Sequence, residues 1–137
     1  WGTAQMHLPG GFFRVRATGK PSHLPVQMNA FPSGIDITFS DPISKESLEK
    51  IQESVKVESW SLLRSADYGS KHYDEKSHAV EGATLSNNGK TLRLSIEDMS
   101  PVWQMSIKYK LTGEKGEAIE GEIQNTIHNL GQETNWN

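Results

Sequence analysis

The sequence predicts an all-β fold, a β-sandwich of about seven strands with one short helix. Short runs that alternate apolar and polar side chains recur along the 137 residues, and turn residues such as Gly, Asn and Pro separate them. The hydrophobic share is only 34%, which suits sheets with one wet face better than a buried parallel sheet. The one stretch with helical spacing is short.

Seven runs have the length and alternation of strands. They are residues 26–31, 35–39, 55–63, 79–85, 91–96, 102–111 and 118–127. The run at 102–111 is the longest. Turn signals lie between them, above all Asn-Asn-Gly at residues 87–89, where the backbone can adopt positive φ at low cost.

The short helix is predicted between the second and third strands. Asp41-Pro42 ends the second strand, and Ser44 then stands where a helix cap is expected. Residues 45–54 follow with apolar side chains at helical spacing, enough for one to three turns.

Two tryptophans bear on the core. Trp103 alternates in phase with Met105 and Ile107, so it is predicted to face the core. Trp60 is in phase with Leu62 and also with Glu58, so its face stays open.

The chain divides into three parts by pattern. Residues 1–21 are predicted to be an N-terminal extension or the remnant of a preceding domain, residues 22–130 the sandwich, and residues 131–137 a flexible tail. Phe12 and Phe13 are adjacent, so in a lone strand one of them must face outward unless the strand packs on a partner. A remnant of a preceding domain explains this pair, and an ordinary edge strand of the sandwich is the alternative.

Composition excludes several classes of partner. The net charge is −3 and Lys and Arg are scattered, so no basic face for nucleic acid is expected. No apolar run approaches the length of a membrane span, and no charged-then-apolar leader is present. Cysteine is absent, which excludes disulfides and leaves the compartment open. A monomer without cofactor is expected.

The run at residues 66–76 carries the predicted binding site. It follows the third strand and reads as a loop, and it combines aromatic rings with donors and acceptors of both charge signs. Sugars present apolar faces that stack on rings, and hydroxyls that pair with polar groups. The predicted ligand-binding residues are Tyr68, Lys71, His72, Tyr73, Asp74 and Trp60.

The same run also contains candidate catalytic and metal-binding residues. His72 with Asp74, or Ser70 with His72, could form an acid–base pair, but neither lies in a recognised catalytic context. His72, His78, Asp74 and Glu75 are close in sequence but lack the paired spacing typical of zinc ligands. No catalytic residue and no metal ligand is therefore predicted, and an enzyme built on His72 and Asp74 remains an alternative.

Three stretches resemble a known family. Residues 34–43, Gly-Ile-Asp-Ile-Thr-Phe-Ser-Asp-Pro-Ile, resemble the opening of bacterial immunoglobulin-like modules of the S-layer type, and residues 85–94 and 109–113 resemble their later strands. The resemblance implies an immunoglobulin-like or fibronectin-type sandwich.

A second resemblance concerns the N-terminal part. Residues 11–21 are similar to the final propeller strand and exit linker of large secreted bacterial proteins, notably of planctomycetes and their relatives. Those proteins combine sugar-dehydrogenase-like β-propellers with c-type cytochrome domains. The module that follows there carries a Trp-rich strand and a Tyr-Gly-Ser run, which Trp60 and residues 68–70 match, as does Asn-Thr-Ile-His at residues 125–128. No Cys-x-x-Cys-His haem site is present in this chain.

These resemblances imply an accessory module of a larger exported bacterial protein, secreted or periplasmic, with a preceding β-propeller or catalytic domain of the same polypeptide as partner. The expected function is non-catalytic, either binding of a polysaccharide or docking on that neighbour. An enzyme and a purely structural spacer are the alternatives.

Overall fold

The fold is a sandwich of two antiparallel four-stranded sheets, seen in a computed structural model that describes residues 11–66 and 69–136. This confirms the all-β prediction. The strands are β1 (Pro25–Phe31), β2 (Gly34–Phe39), β3 (Val55–Leu62), β4 (His72–His78), β5 (Gly82–Leu85), β6 (Thr91–Ser95), β7 (Val102–Thr112) and β8 (Ala118–Ile127). The first sheet has the order β1-β2-β6-β5, and the second sheet has the order β4-β3-β7-β8.

The core lies between the two sheets and follows from the alternation of their strands. Ile35 and Ile37 of β2 and Met105 and Ile107 of β7 are each at most 1% exposed. Across the interface the rings of Phe39 and Tyr109 meet edge to face, with centroids 5.5 Å apart, a geometry that aromatic pairs favour. β7, predicted to be the longest strand, is the longest of the eight described.

The eighth strand is β4, which was predicted to be part of a loop. Its sequence, His-Tyr-Asp-Glu-Lys-Ser-His, has no alternation of apolar and polar residues, and all but its last residue are exposed. It forms because its backbone pairs antiparallel with β3 at the edge of the second sheet. An edge strand with no buried face leaves no hydrophobic pattern in the sequence.

The helix predicted over residues 45–54 is not continuous in the structure. Ser44 does cap it, since its hydroxyl accepts a hydrogen bond from the Glu46 N–H at 3.3 Å. A 3-10 turn at Lys45–Leu48 and one helical turn at Ile51–Ser54 follow. Lys50, between them, has φ −124° and ψ 33°, which lies outside helical geometry and divides the segment into two single turns.

The prediction that Trp103 faces the core is wrong, because its side chain is 61% exposed. The pairing of β7 with β8 shifts register between Val102 and Met105. A register irregularity of this kind changes which face each side chain takes. Val102 packs against the core, and Trp103 points into solvent.

The two ends of the described chain behave differently. Residues 11–24 form no regular secondary structure, and Phe12, Phe13 and Val15 are essentially fully exposed. Residues 131–136 are also irregular, yet they contact the first sheet, where the Gly131 N–H donates to the Ala30 carbonyl at 2.7 Å. Residues 1–10 of the predicted extension, and residue 137 of the predicted tail, lie outside the described residues.

Candidate binding groove

A groove crosses the outer face of the second sheet, with a volume of about 490 Å³. We call it the outer groove. It is lined by residues of all four strands of that sheet. Its lining is Glu58, Ser59 and Trp60 of β3, His72, Glu75, Lys76 and Ser77 of β4, Ser106 and Lys108 of β7, and Glu122 and Gln124 of β8.

One wall of the outer groove is a stacked pair of rings. Trp60 and His72 have centroids 4.3 Å apart and planes only 18° from parallel. Trp60 faces outward because its neighbour Ser59 is buried and faces the core, and successive strand residues take opposite faces. This settles the face of Trp60 that the sequence left open. One face of its indole is covered by the imidazole.

A β-bulge in β4 brings the histidine to this position. Ser59 pairs with Lys76 and Ser61 with Tyr73, so two steps along β3 match three along β4. Asp74 has φ 52°, the left-handed conformation that marks the extra residue of many bulges.

The bulge also decides which side chains meet. His72 and Glu75 are three positions apart, so in a regular strand they would take opposite faces. Because Asp74 adds one residue, they share the outer face, and His72 Nδ1 lies 3.0 Å from Glu75 Oε1. The aromatic wall therefore carries a carboxylate at its rim.

The floor of the outer groove is a network of charges and hydroxyl groups. Lys108 Nζ lies 3.9 Å from a Glu58 oxygen and 4.0 Å from Glu122 Oε1. The Ser106 hydroxyl donates to Glu122 Oε1 at 2.6 Å, and the Gln124 amide donates to the same oxygen at 3.0 Å. These hydrogen bonds, that of Ser106 first, lower the pKa of Glu122. Its carboxylate therefore stays ionised and accepts hydrogen bonds.

The structure brings together two of the six predicted site residues. Trp60 and His72 form the wall of the outer groove. Tyr73 is adjacent to His72 in a strand, so it points to the opposite side and is 40% exposed there. Asp74 lies in the bulge and is not part of the lining.

The other predicted residues lie before β4. Lys71 is exposed, and Tyr68 lies outside the described residues. Ser70 is engaged with the backbone, since its hydroxyl accepts from the Leu63 N–H at 3.1 Å and donates to the Lys71 carbonyl at 2.9 Å. His72 is paired with Glu75 rather than with Ser70 or Asp74, so neither catalytic pair drawn from the sequence is formed in the described part of the chain.

Sequence reasoning missed the polar floor of the outer groove. Its members are Glu58, Ser106, Lys108, Glu122 and Gln124. The sequence signal that identifies them is their position in the alternating pattern of each strand. Each lies one position from an inward apolar or small residue in a predicted strand, so together they mark the outer face of one sheet. Which strands are neighbours was not visible in the sequence.

A second concavity lies at one end of the same sheet. It has a volume of about 620 Å³ and a largely apolar lining that includes Leu62, Leu63 and Trp103. Leu63 is 56% exposed and Trp103 is 61% exposed. We call this the apolar end patch.

Two features are absent from the described residues. Within 11–66 and 69–136, no three His, Asp or Glu side chains converge as a metal site would require. No helix in that part of the chain has the length and apolar character needed to cross a bilayer.

Comparison with known proteins gives no assignment. No protein-family model matches the chain, and it has no significant sequence match among curated proteins.

Proposed function

We propose that this chain is a non-catalytic binding module whose ligand is a carbohydrate and whose binding site is the outer groove. The observation that carries the proposal is the stacked Trp60–His72 wall beside the ionised carboxylate of Glu122. A sugar ring stacks on an aromatic face while its hydroxyls donate to carboxylates and amides. Because His72 covers one face of Trp60, the sugar contacts the exposed side of the stack.

The charges of the outer groove narrow the kind of glycan. Three carboxylates, Glu58, Glu75 and Glu122, face two ammonium groups, Lys76 and Lys108. Such a surface repels uronic acids and sulfated sugars more than neutral ones. The proposal therefore favours neutral polysaccharides, with hydroxyl groups as the recognised chemistry.

Affinity gel electrophoresis tests this proposal. The chain is run through gels that contain a neutral β-glucan, xylan or mannan, and through gels that contain alginate or carrageenan. At least one neutral polysaccharide is expected to retard it, and Trp60→Ala is expected to abolish the retardation, because the wall of the groove is lost.

Trp103→Ala is the matched control, since it removes an exposed tryptophan outside the outer groove. It should leave the retardation unchanged, and thermal unfolding should show that both variants fold. Failure of every polysaccharide to retard the chain, or loss of retardation in Trp103→Ala but not in Trp60→Ala, would refute the proposal.

Docking on a neighbouring domain of the same polypeptide is the second candidate, and the apolar end patch supports it. Two large apolar side chains, Leu63 and Trp103, are more than half exposed there. Exposed aromatic side chains of this kind are enriched at protein interfaces. If the patch docks, Trp103→Ala should weaken binding of the separately expressed neighbouring domain, and Trp60→Ala should not.

We further infer an immunoglobulin-like sandwich in an exported bacterial protein. The sheets β1-β2-β6-β5 and β4-β3-β7-β8 match the order in which immunoglobulin-like folds arrange strands A, B, E, D and C, F, G, with one added strand beside C. Together with the resemblance of residues 34–43 to S-layer-type modules, this order supports an accessory module, secreted or periplasmic. Fractionation of cells expressing the full reading frame tests the location.

A further inference from the structure

The free edge of the second sheet and the exposed N-terminal segment have matching patterns. Among the described residues, β8 pairs with β7 and forms the edge of its sheet. An edge strand presents unpaired N–H and C=O groups along its length. Residues 11–18 form no regular secondary structure and are all exposed, and Phe12, Phe13 and Val15 are essentially fully so.

On the outer face of the second sheet, the edge strand β8 carries two carboxylates, Glu120 and Glu122. Lys110 pairs across to Glu120 and Lys108 to Glu122, with nitrogen–oxygen distances of 3.7 Å and 4.0 Å. In both pairs the cation is on β7 and the carboxylate is on β8, which is the last strand of the sheet. A further strand would place a cation beside each carboxylate, at every second residue.

The N-terminal segment has that spacing. Arg14 and Arg16 are two positions apart, as are the two glutamates, and Phe13, Val15 and Ala17 alternate with them. In such a strand Phe13, Val15 and Ala17 lie on the face opposite the arginines, and Phe12 lies on the arginine face. Added to β8, the segment would set Phe13 and Val15 over the inner face of the sheet.

That inner face offers apolar surface at the edge. Ile123 of β8, Met28 of β1 and Leu130 are only partly buried and pack at the margin of the core. A concavity of about 510 Å³ between β1 and the end of β8 includes Met28 and Leu130 in its lining. The opening between the two sheets is thus the side to which Phe13 and Val15 would turn.

The residues that follow the N-terminal segment are held to the sandwich by hydrogen bonds. Asp41 Oδ2 accepts hydrogen bonds from the Ser22 N–H at 2.9 Å and the His23 N–H at 3.0 Å. The Ser40 hydroxyl adds a third at 2.7 Å, and these bonds hold the pKa of Asp41 well below its usual range. The segment therefore leaves from an anchored point, and its apolar side chains project away from their own chain.

We propose that residues 11–18 add as an antiparallel strand to the β8 edge of a second copy of this chain, with Arg14 opposite Glu122 and Arg16 opposite Glu120. Main-chain hydrogen bonds supply affinity in such strand addition, and the alternating side chains supply register. Exchange in both directions gives a two-fold dimer. This assembly departs from the monomer expected from the sequence.

Engineered cysteines test the register, since the chain has no cysteine of its own. An unlabelled Arg16→Cys chain is mixed with a ¹⁵N-labelled Glu120→Cys chain and oxidised, so that a mixed disulfide can form only between molecules. Directly opposed strand residues have the Cα separation that a disulfide needs. The mixed disulfide should form at least about tenfold faster than with Ala17→Cys, whose side chain takes the other face.

Charge reversal gives the second measurement, made by sedimentation across a range of concentrations. The unaltered chain should form dimers, and the pair Arg14→Glu with Arg16→Glu should be monomeric. Adding Glu120→Arg with Glu122→Arg should restore the dimer. A chain that stays monomeric at every concentration, or cysteine pairs that react at equal rates, would overturn the proposal.

Discussion

Asp74 has a backbone conformation, φ 52°, that costs most side chains about 1–2 kcal/mol. Glycine pays no such cost, whereas a β-branched residue pays the most. Asp74→Val should therefore lower the free energy of unfolding by about 1–2 kcal/mol, and Asp74→Gly should leave it unchanged or raise it. Urea unfolding measures both. Equal stability of the two variants would show that the bulge does not hold Asp74 in this conformation.

His78 makes stability depend on pH. Burial, helped by the charge of Lys76, lowers its pKa below 6.5 in the folded chain, and its Nε2 lies 2.8 Å from the Ser59 hydroxyl oxygen. The unfolded chain then binds a proton more readily, so stability is full above about pH 6.5 and falls as pH drops through that value toward the folded pKa.

The matched variant for this prediction is His78→Gln, which keeps a polar partner for Ser59 but does not titrate. Urea unfolding from about pH 7.5 to about pH 5 should show a smaller loss of stability in the variant than in the unaltered chain. Parallel curves for the two proteins would contradict the assignment, because the other histidines are common to both.

At the scale of whole elements, residues 131–136 act as a strap across the first sheet. The Arg93 guanidinium lies between two rings, 4.9 Å from the centroid of Phe31 and 4.6 Å from that of Trp136. It also donates to both carboxylate oxygens of Asp36 at 2.7 Å and 2.8 Å, and the Trp136 indole N–H donates to Asp36 at 3.1 Å.

Removing either side of this arrangement should destabilise the fold to different degrees. Trp136→Ala should cost about 1–2 kcal/mol, the sum expected for one cation–π contact and one hydrogen bond. Asp36→Ala should cost about 3 kcal/mol, because it removes the buried carboxylate that pairs with a largely buried guanidinium and leaves only the half-exposed Glu133 as its anion. Trp103→Ala, an exposed tryptophan, should change stability by less than about 0.5 kcal/mol. Equal effects of the two tryptophan variants would mean that the strap does not contribute.

Prediction from sequence succeeded for elements that bury one face and failed where no face is buried. β2, β6 and β7 were found because their apolar side chains alternate. β4 was missed because its side chains are almost all exposed, and Trp103 was misplaced because a shift in register is set by pairing with β8. The floor of the outer groove was missed for a related reason, because the sequence does not show which strands become neighbours in the assembled sheet.

The whole molecule presents two unlike outer faces. The first sheet is crossed by the strap around Arg93, whereas the second sheet leaves the outer groove open. His72 and Trp60 meet there through a bulge that the sequence did not reveal. Ligand binding is therefore expected on the second sheet, independently of the strap.

An NMR titration shows directly whether a carbohydrate binds in the outer groove. The ¹⁵N-labelled chain is titrated with a neutral oligosaccharide cut from the polysaccharide that retards it in gels. The Trp60 indole signal and the amides of β3, β4, β7 and β8 around the outer groove are expected to shift in a saturable way, while the Trp103 and Trp136 indole signals stay in place. Shifts centred on Trp103, or no saturable shift at the groove, would contradict binding in the outer groove.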